Sequence, residues 1–118
     1  MAKIAINVRF KLFGIHRWPN PCVDRVKFLD APHTHMFGFR IKMPVTHTER
    51  DVEFFDFKAK VIEYVTNKYG TLPKLPTCID FGDCSCETIA LDILNKFNAL
   101  EVEVQEDEQD SAVVSSDS

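Results

Sequence analysis

Two long stretches of this chain alternate apolar and polar residues with a period of two, and that alternation narrows the available folds more than any other feature. In residues 3–13, Ile4, Ile6, Val8, Phe10 and Leu12 fall on one side, and Lys3, Asn7, Arg9 and Lys11 mostly on the other. In residues 35–45, Phe37, Phe39, Ile41 and Met43 alternate with Arg40 and Lys42. Successive side chains of a strand point to opposite faces, so each stretch predicts a strand with one buried and one solvated face. Leu100, Val102 and Val104, set against Glu101, Glu103 and Gln105, predict another. Gly14 and Trp18-Pro19-Asn20-Pro21 stop the first strand, and Pro44 with Thr46-His47-Thr48-Glu49-Arg50 makes a turn region after the second. Val26-Lys27-Phe28-Leu29 reads as a short strand before Pro32, and Val52-Glu53-Phe54-Phe55 as another, stopped by Asp56.

Between these strands the period lengthens. Phe57, Val61, Tyr64, Val65 and Tyr69 recur at helical spacing, with Asp56 as N-cap and Gly70 as the C-terminal stop. Residues 71–83, which contain Pro and Gly, read as a loop. A second helix is predicted over 86–97, capped by Ser85, with Ile89, Ala90, Ile93, Leu94 and Phe97 inward. The expected fold class is α+β: a four-stranded antiparallel sheet with two helices on one face. So small a sheet leaves open edges, and closure by partner subunits is the expected remedy.

At 118 residues the chain has room for one domain and one modest core, and 45% apolar with 11% aromatic residues is too rich for a disordered chain. No apolar run approaches the roughly 20 residues of a membrane span. Met1-Ala2-Lys3-Ile4-Ala5 lacks the hydrophobic core of a signal peptide. With four scattered cysteines, the thiols are expected to be reduced and the protein cytoplasmic. From Glu101 onward there are seven acids and no base, which leaves eleven acids against fourteen bases in residues 1–100, a formal +3. Dispersed bases at that density do not suit a nucleic-acid duplex; they suit one small phosphorylated ligand. The domain is expected over residues 1–107, with 108–118 an acidic, disordered tail.

His33 and His35 stand two apart at the head of a strand, so both imidazoles point to one side. With a third from a neighbouring strand they would make an open three-histidine zinc site, and His16, at the end of the first strand, is the natural third member. The alternative is that these are turn or surface histidines, as His47 beside Arg50 is expected to be. Cys78, Cys84 and Cys86 have the spacing C-x5-C-x-C, which is no recognised zinc knuckle, and buried or loop thiols are the simpler reading. Cys86 lies where a helix N-terminus would lower a thiol pKa. Cys22, the cysteine nearest the histidines in sequence, is a candidate catalytic base. Glu106, at the end of an alternating strand, can accept two parallel N–H bonds from a guanidine-like ligand edge. Glu87, at the start of the second helix, is a substrate-binding candidate or simply a charge favourable to the helix dipole. Lys58, Lys60 and Lys68 read as a solvated helix face.

In order along the chain, these pieces resemble the 6-pyruvoyltetrahydropterin synthase / 6-carboxytetrahydropterin synthase family, the tunnelling-fold enzymes of pterin and queuosine biosynthesis. His16-Arg17 resembles the histidine that ends the family's first strand. His33-Thr34-His35-Met36-Phe37 resembles its H-G-H-aromatic motif, with Thr34 for the middle glycine. Phe54-Phe55-Asp56-Phe57 resembles its Asp-Phe entry to a helix, and Cys84-Ser85-Cys86-Glu87-Thr88-Ile89-Ala90 its P-T-S-E-N-I-A helix start. Val102-Glu103-Val104-Gln105-Glu106-Asp107 resembles its closing V-x-V-x-E-T strand. The run Pro32-His33-Thr34-His35-Met36-Phe37 is similar to that of compact phage-encoded members.

The resemblance implies zinc on His16, His33 and His35, and Glu106 on the amino-pyrimidine edge of a dihydropterin triphosphate. It also implies a barrel closed across subunits, as a homo-oligomer of trimer or hexamer type. Two parts of the family pattern are not in place. No cysteine lies between Val23 and Pro32, where the catalytic one is usual, and no histidine follows His47 to supply the Asp-His relay. A zinc-dependent lyase is therefore one expectation, and an inactive member that binds or sequesters a pterin or purine-like nucleotide is the other.

Overall fold

The computed structural model describes residues 2–117. Its elements, in chain order, are β1 (Ile4–His16), a 3-10 helix (Asp24–Asp30), β2 (His33–Val45), α1 (Phe54–Tyr69), β3 (Thr71–Leu72), β4 (Leu75–Gly82), α2 (Cys86–Phe97), β5 (Glu101–Glu106) and β6 (Asp110–Ser115). The α+β class holds, but the sheet has six strands in the order β3-β4-β1-β2-β5-β6. It is mixed, because β4 runs parallel to β1 while the other neighbours are antiparallel. The four-stranded antiparallel sheet of the sequence reading is corrected in that respect, and β3 and β6 form its two edges.

The alternation places one apolar face of the sheet under the helices. Val8 pairs with Ile41, Phe10 with Phe39 and Leu12 with Phe37 across β1 and β2, and Val102 and Val104 continue the rows through Ile41 and Phe39. Directly opposed residues share a face, so these side chains form one layer. Over it lie Phe57, Val61 and Val65 of α1 and Cys86, Ile89, Ala90, Ile93 and Leu94 of α2, all buried. Phe10 stacks on Phe39 with centroids 4.9 Å apart, and Phe37 packs on Phe81 at 4.8 Å. Gly14 makes the latter contact feasible: a Cβ there would stand 2.6 Å from the Phe81 ring and 2.9 Å from that of Phe37. On the opposite face Arg40 binds Glu101 and Glu103, both on β5.

Four local expectations are revised. The helix α1 begins at Phe54 with Glu53 as its N-cap, accepting from the Phe55 and Asp56 N–H groups. Phe54 and Phe55, exposed at 54% and 77%, make no short strand; they lie on the solvated side of the first helical turn. Val26-Lys27-Phe28-Leu29 lies in the 3-10 helix, with Phe28 exposed, because its apolar residues have no sheet partner. Residues 71–83 hold the β3–β4 hairpin rather than a loop; Pro76 is accommodated since β4 pairs with β1 only from Ile79 onward. Finally, the acidic stretch 108–118 is not a disordered tail over its length. Asp107 and Glu108 turn the chain at positive φ, and β6 then pairs with all of β5. Ala112 and Val114 lie opposite Val104 and Val102, while Ser111 and Ser115 donate to Glu103 and Glu101. Ser118 lies outside the described residues.

The Ser85 cap, which accepts from the Thr88 N–H at 3.1 Å, and the Gly70 stop of α1 are where the sequence placed them. Asp92 ties the helices together. Its carboxylate accepts from Tyr64 and Tyr69 hydroxyls at 2.7 and 2.8 Å and from Lys68 at 2.6 Å. No helix is long and apolar enough to cross a membrane among the described residues.

Candidate metal centre

Strand register builds the centre. His16 is paired with His33 at the end of the β1–β2 ladder, and His35, two residues on, is paired with Gly14. All three rings therefore project from the core-side face, one step beyond Phe37 and next to the start of α2. The connection between β1 and β2 is held in place by backbone bonds from Arg17 to Gly82 and from Trp18 to Leu29, and by Arg17 bonded to Asp30. These contacts return the chain so that His33 meets His16.

The rings stand with centroids 4.7 Å (His16–His33), 5.0 Å (His33–His35) and 5.2 Å (His16–His35) apart, each pair edge to face. One ring nitrogen from each lies within 4.8 Å of the other two. The other contacts decide which nitrogen is free. The Nδ1 of His16 is 2.9 Å from the Cys84 carbonyl, that of His33 2.9 Å from the Ala31 carbonyl, and that of His35 2.6 Å from Asp107 Oδ2. A carbonyl or carboxylate can only accept, so each Nδ1 carries the proton and donates it. A neutral imidazole so held presents an Nε2 lone pair. The Nε2 atoms of His16 and His35 are buried and have no donor facing them. Burial is also the main reason the His16 pKa is pushed below its ordinary value, which keeps that ring neutral; the neighbouring His33 and His35 act in the same direction, and the Cys84 carbonyl and Glu106 against it.

Glu106 sits at the centre too, paired with Phe37 from the neighbouring strand. Its Oε2 is 3.1 Å from His16 Nε2 and its Oε1 is 3.6 Å from His35 Nε2. Those are ion-pair distances without a hydrogen bond, because the ring protons are on Nδ1. The carboxylate and the lone pairs thus face one another, and among the described residues no side chain donates to those nitrogens. Three imidazoles, each with its second nitrogen bound to a carbonyl or carboxylate, form a group that could hold a metal ion. It suits the ions that favour imidazole, zinc among them. The residues present therefore fit a metal.

The other sequence candidates divide. Glu87 lines a cleft beside the centre together with His16, Arg17, Trp18, Asp83, Cys84 and Ser85. Cys22 is exposed in the connection before the 3-10 helix, and the thiol that meets the centre is that of Cys86, whose Sγ is 3.5 Å from Glu106 Oε2. The expectation of a lowered Cys86 pKa is reversed. Burial, followed by the charge of Glu106, pushes the thiol up to about 12. Asp107 was given no role by the sequence, yet it holds His35 with one oxygen and accepts from the Met36 N–H at 2.8 Å with the other. Those hydrogen bonds, from His35 first and Met36 second, keep its carboxyl below the usual range. Nothing in the spacing of residues 35 and 107 announces that pairing; its only signal is an acid immediately after Glu106. No protein-family model matches the chain, and no curated protein matches it.

Proposed function

We propose that this chain is a zinc-binding protein of the 6-pyruvoyltetrahydropterin/6-carboxytetrahydropterin synthase type, acting on a dihydropterin triphosphate. The observation that carries the reading is the convergence of His16, His33 and His35, with every Nδ1 committed to an acceptor and the buried Nε2 atoms of His16 and His35 left without one. Bound zinc would supply Lewis acidity to the hydroxyls of the substrate side chain. The protein's own residues would do the rest. Asp107 and the carbonyls of Cys84 and Ala31 orient the three rings, and Glu106 takes the guanidine-like edge of the ring system through two parallel N–H bonds. The edges at β3 and β6 are where copies of the chain would join to close the sheet into a homo-oligomeric barrel.

A second reading is favoured by the state of the thiols. Burial and the charge of Glu106 keep the Cys86 thiol protonated, so the thiol beside Glu106 does not stand ready as a base. On that reading the protein binds or sequesters a pterin or purine-like nucleotide without turning it over. Zinc-loaded protein incubated with 7,8-dihydroneopterin triphosphate, followed by product analysis, separates the two: new product supports the lyase, and tight binding of unchanged substrate supports the binding protein. Metal analysis of a His33→Ala/His35→Ala variant tests the centre beneath both. Zinc content equal to that of the unaltered protein would sink the assignment.

A further inference from the structure

We infer that Glu106 is the fourth ligand of the metal in the resting protein, so that three histidines and one glutamate form a closed site, which opens only when an incoming ligand draws Glu106 away. The inference rests on the metal-centre reading above and assigns Glu106 a second role. With oxygens 3.1 Å from His16 Nε2 and 3.6 Å from His35 Nε2, the carboxylate occupies the space toward which those lone pairs point. A carboxylate that faces acceptor nitrogens, even one whose side chain is 31% exposed as here, gains from a cation placed between them, and a cation held by three imidazoles draws it in. The Cys86 thiol supports the same pose. Its S–H donates to Oε2 from the first residue of α2 and holds the carboxylate over the rings.

A three-histidine centre with a free fourth position takes small anions readily; one closed by a carboxylate does not. The ligand that opens this site must therefore offer the metal oxygen donors and offer Glu106 two parallel N–H groups, so that the carboxylate exchanges one partner for another. A guanidine-like heterocycle with an adjacent hydroxylated side chain has that chemistry. An anion or a diol without the N–H edge does not.

The test uses cobalt(II) in place of zinc in the full chain, with the visible absorption spectrum as readout and azide as probe. Glu106→Gln removes the anionic ligand but keeps the shape. The expected result is one cobalt per chain in both proteins, a changed cobalt spectrum in the variant, and azide binding tighter by about tenfold or more, because a position that was blocked is now open. Identical spectra and azide affinities in two cobalt-loaded proteins would overturn the inference while leaving the three-histidine centre standing. Failure of the unaltered protein to bind cobalt or zinc would overturn both. If Glu106→Gln does not fold by circular dichroism, Glu106→Asp is read in the same way, since the shorter side chain keeps the charge but draws back from the metal.

Discussion

Changing Asp107 to Asn replaces one carboxylate oxygen by an NH2 group and leaves the backbone undisturbed, because Asn accepts the positive φ of 55° found there. The wild-type side chain serves two donors, with Oδ2 2.6 Å from His35 Nδ1 and Oδ1 2.8 Å from the Met36 N–H. An amide has only one oxygen. If that oxygen stays on Met36, the NH2 faces the His35 Nδ1–H, and relief comes by moving the ring proton to Nε2, which removes the lone pair a metal needs. If the amide flips, the NH2 faces the Met36 N–H instead and the loop loses its anchor. Losing the orienting partner of a metal-binding histidine lowers affinity by about 10- to 100-fold. The Asp107 side chain is 52% exposed, so water compensates in part and the expected loss is nearer about tenfold. Competition between the protein and a chromophoric zinc chelator at neutral pH measures it, with the thermal midpoint of the metal-free protein as the control for folding. Equal zinc affinity for Asp107→Asn and the unaltered protein would refute the claim that Asp107 selects the His35 tautomer.

Three further perturbations probe the frame around the centre. Gly14→Ala drives a Cβ to 2.6 Å from Phe81 and 2.9 Å from Phe37, both rings fully buried, and is expected to destabilise by about 1–3 kcal/mol, read as a lower urea midpoint; an unchanged midpoint would mean that the rings have room to give. Asp92→Asn tests a pH dependence. Burial raises the Asp92 carboxyl, but bonds from Lys68, Tyr64 and Tyr69 outweigh it and leave the pKa below the ordinary 3.8. Its stabilising contribution is therefore present above about pH 4 and lost as pH falls through the folded value. The variant should be less stable at neutral pH and lose less on acidification, whereas parallel acid-unfolding curves would contradict this. Deleting residues 110–118 uncovers Val102 and Val104, each 0% exposed, and should lower stability by about 2 kcal/mol or more; no change would mean that β6 does not pack.

The histidines show how far a site can be read from a chain. That His33 and His35 share a side follows from strand geometry alone, whereas the alternation of the first strand stops short of Gly14 and it is the pairing with β2 that carries β1 on to His16. That Glu106 belongs with them was implied by the family resemblance, not by its place in the last alternating run, where the whole stretch is acidic; the fold brings it within 3.1 Å of His16 Nε2. Cys22, the cysteine nearest the histidines in sequence, is exposed within residues 17–32, which leave the sheet between β1 and β2. Cys86 reaches Glu106 because α2 starts at that end of the sheet, and its thiol stays protonated because burial, then the charge of Glu106, raises its pKa.

By itself the sequence determined the periods: the two long strands, both helices, the Ser85 and Gly70 signals, and therefore an α+β chain with one apolar sheet face. Period and capping are local properties, carried by residues a few positions apart. Tertiary structure alone decided the rest. The acidic stretch became β6 because Ala112 and Val114 find Val104 and Val102 across a turn, a pairing that composition obscures. Residues 71–83 became a hairpin because β1 offers a parallel edge at Gly14–His16. Register set His16 against His33, and Asp107 with two backbone carbonyls then set the ring protons. Which nitrogen of a histidine is free depends on atoms that the chain brings close only when it folds.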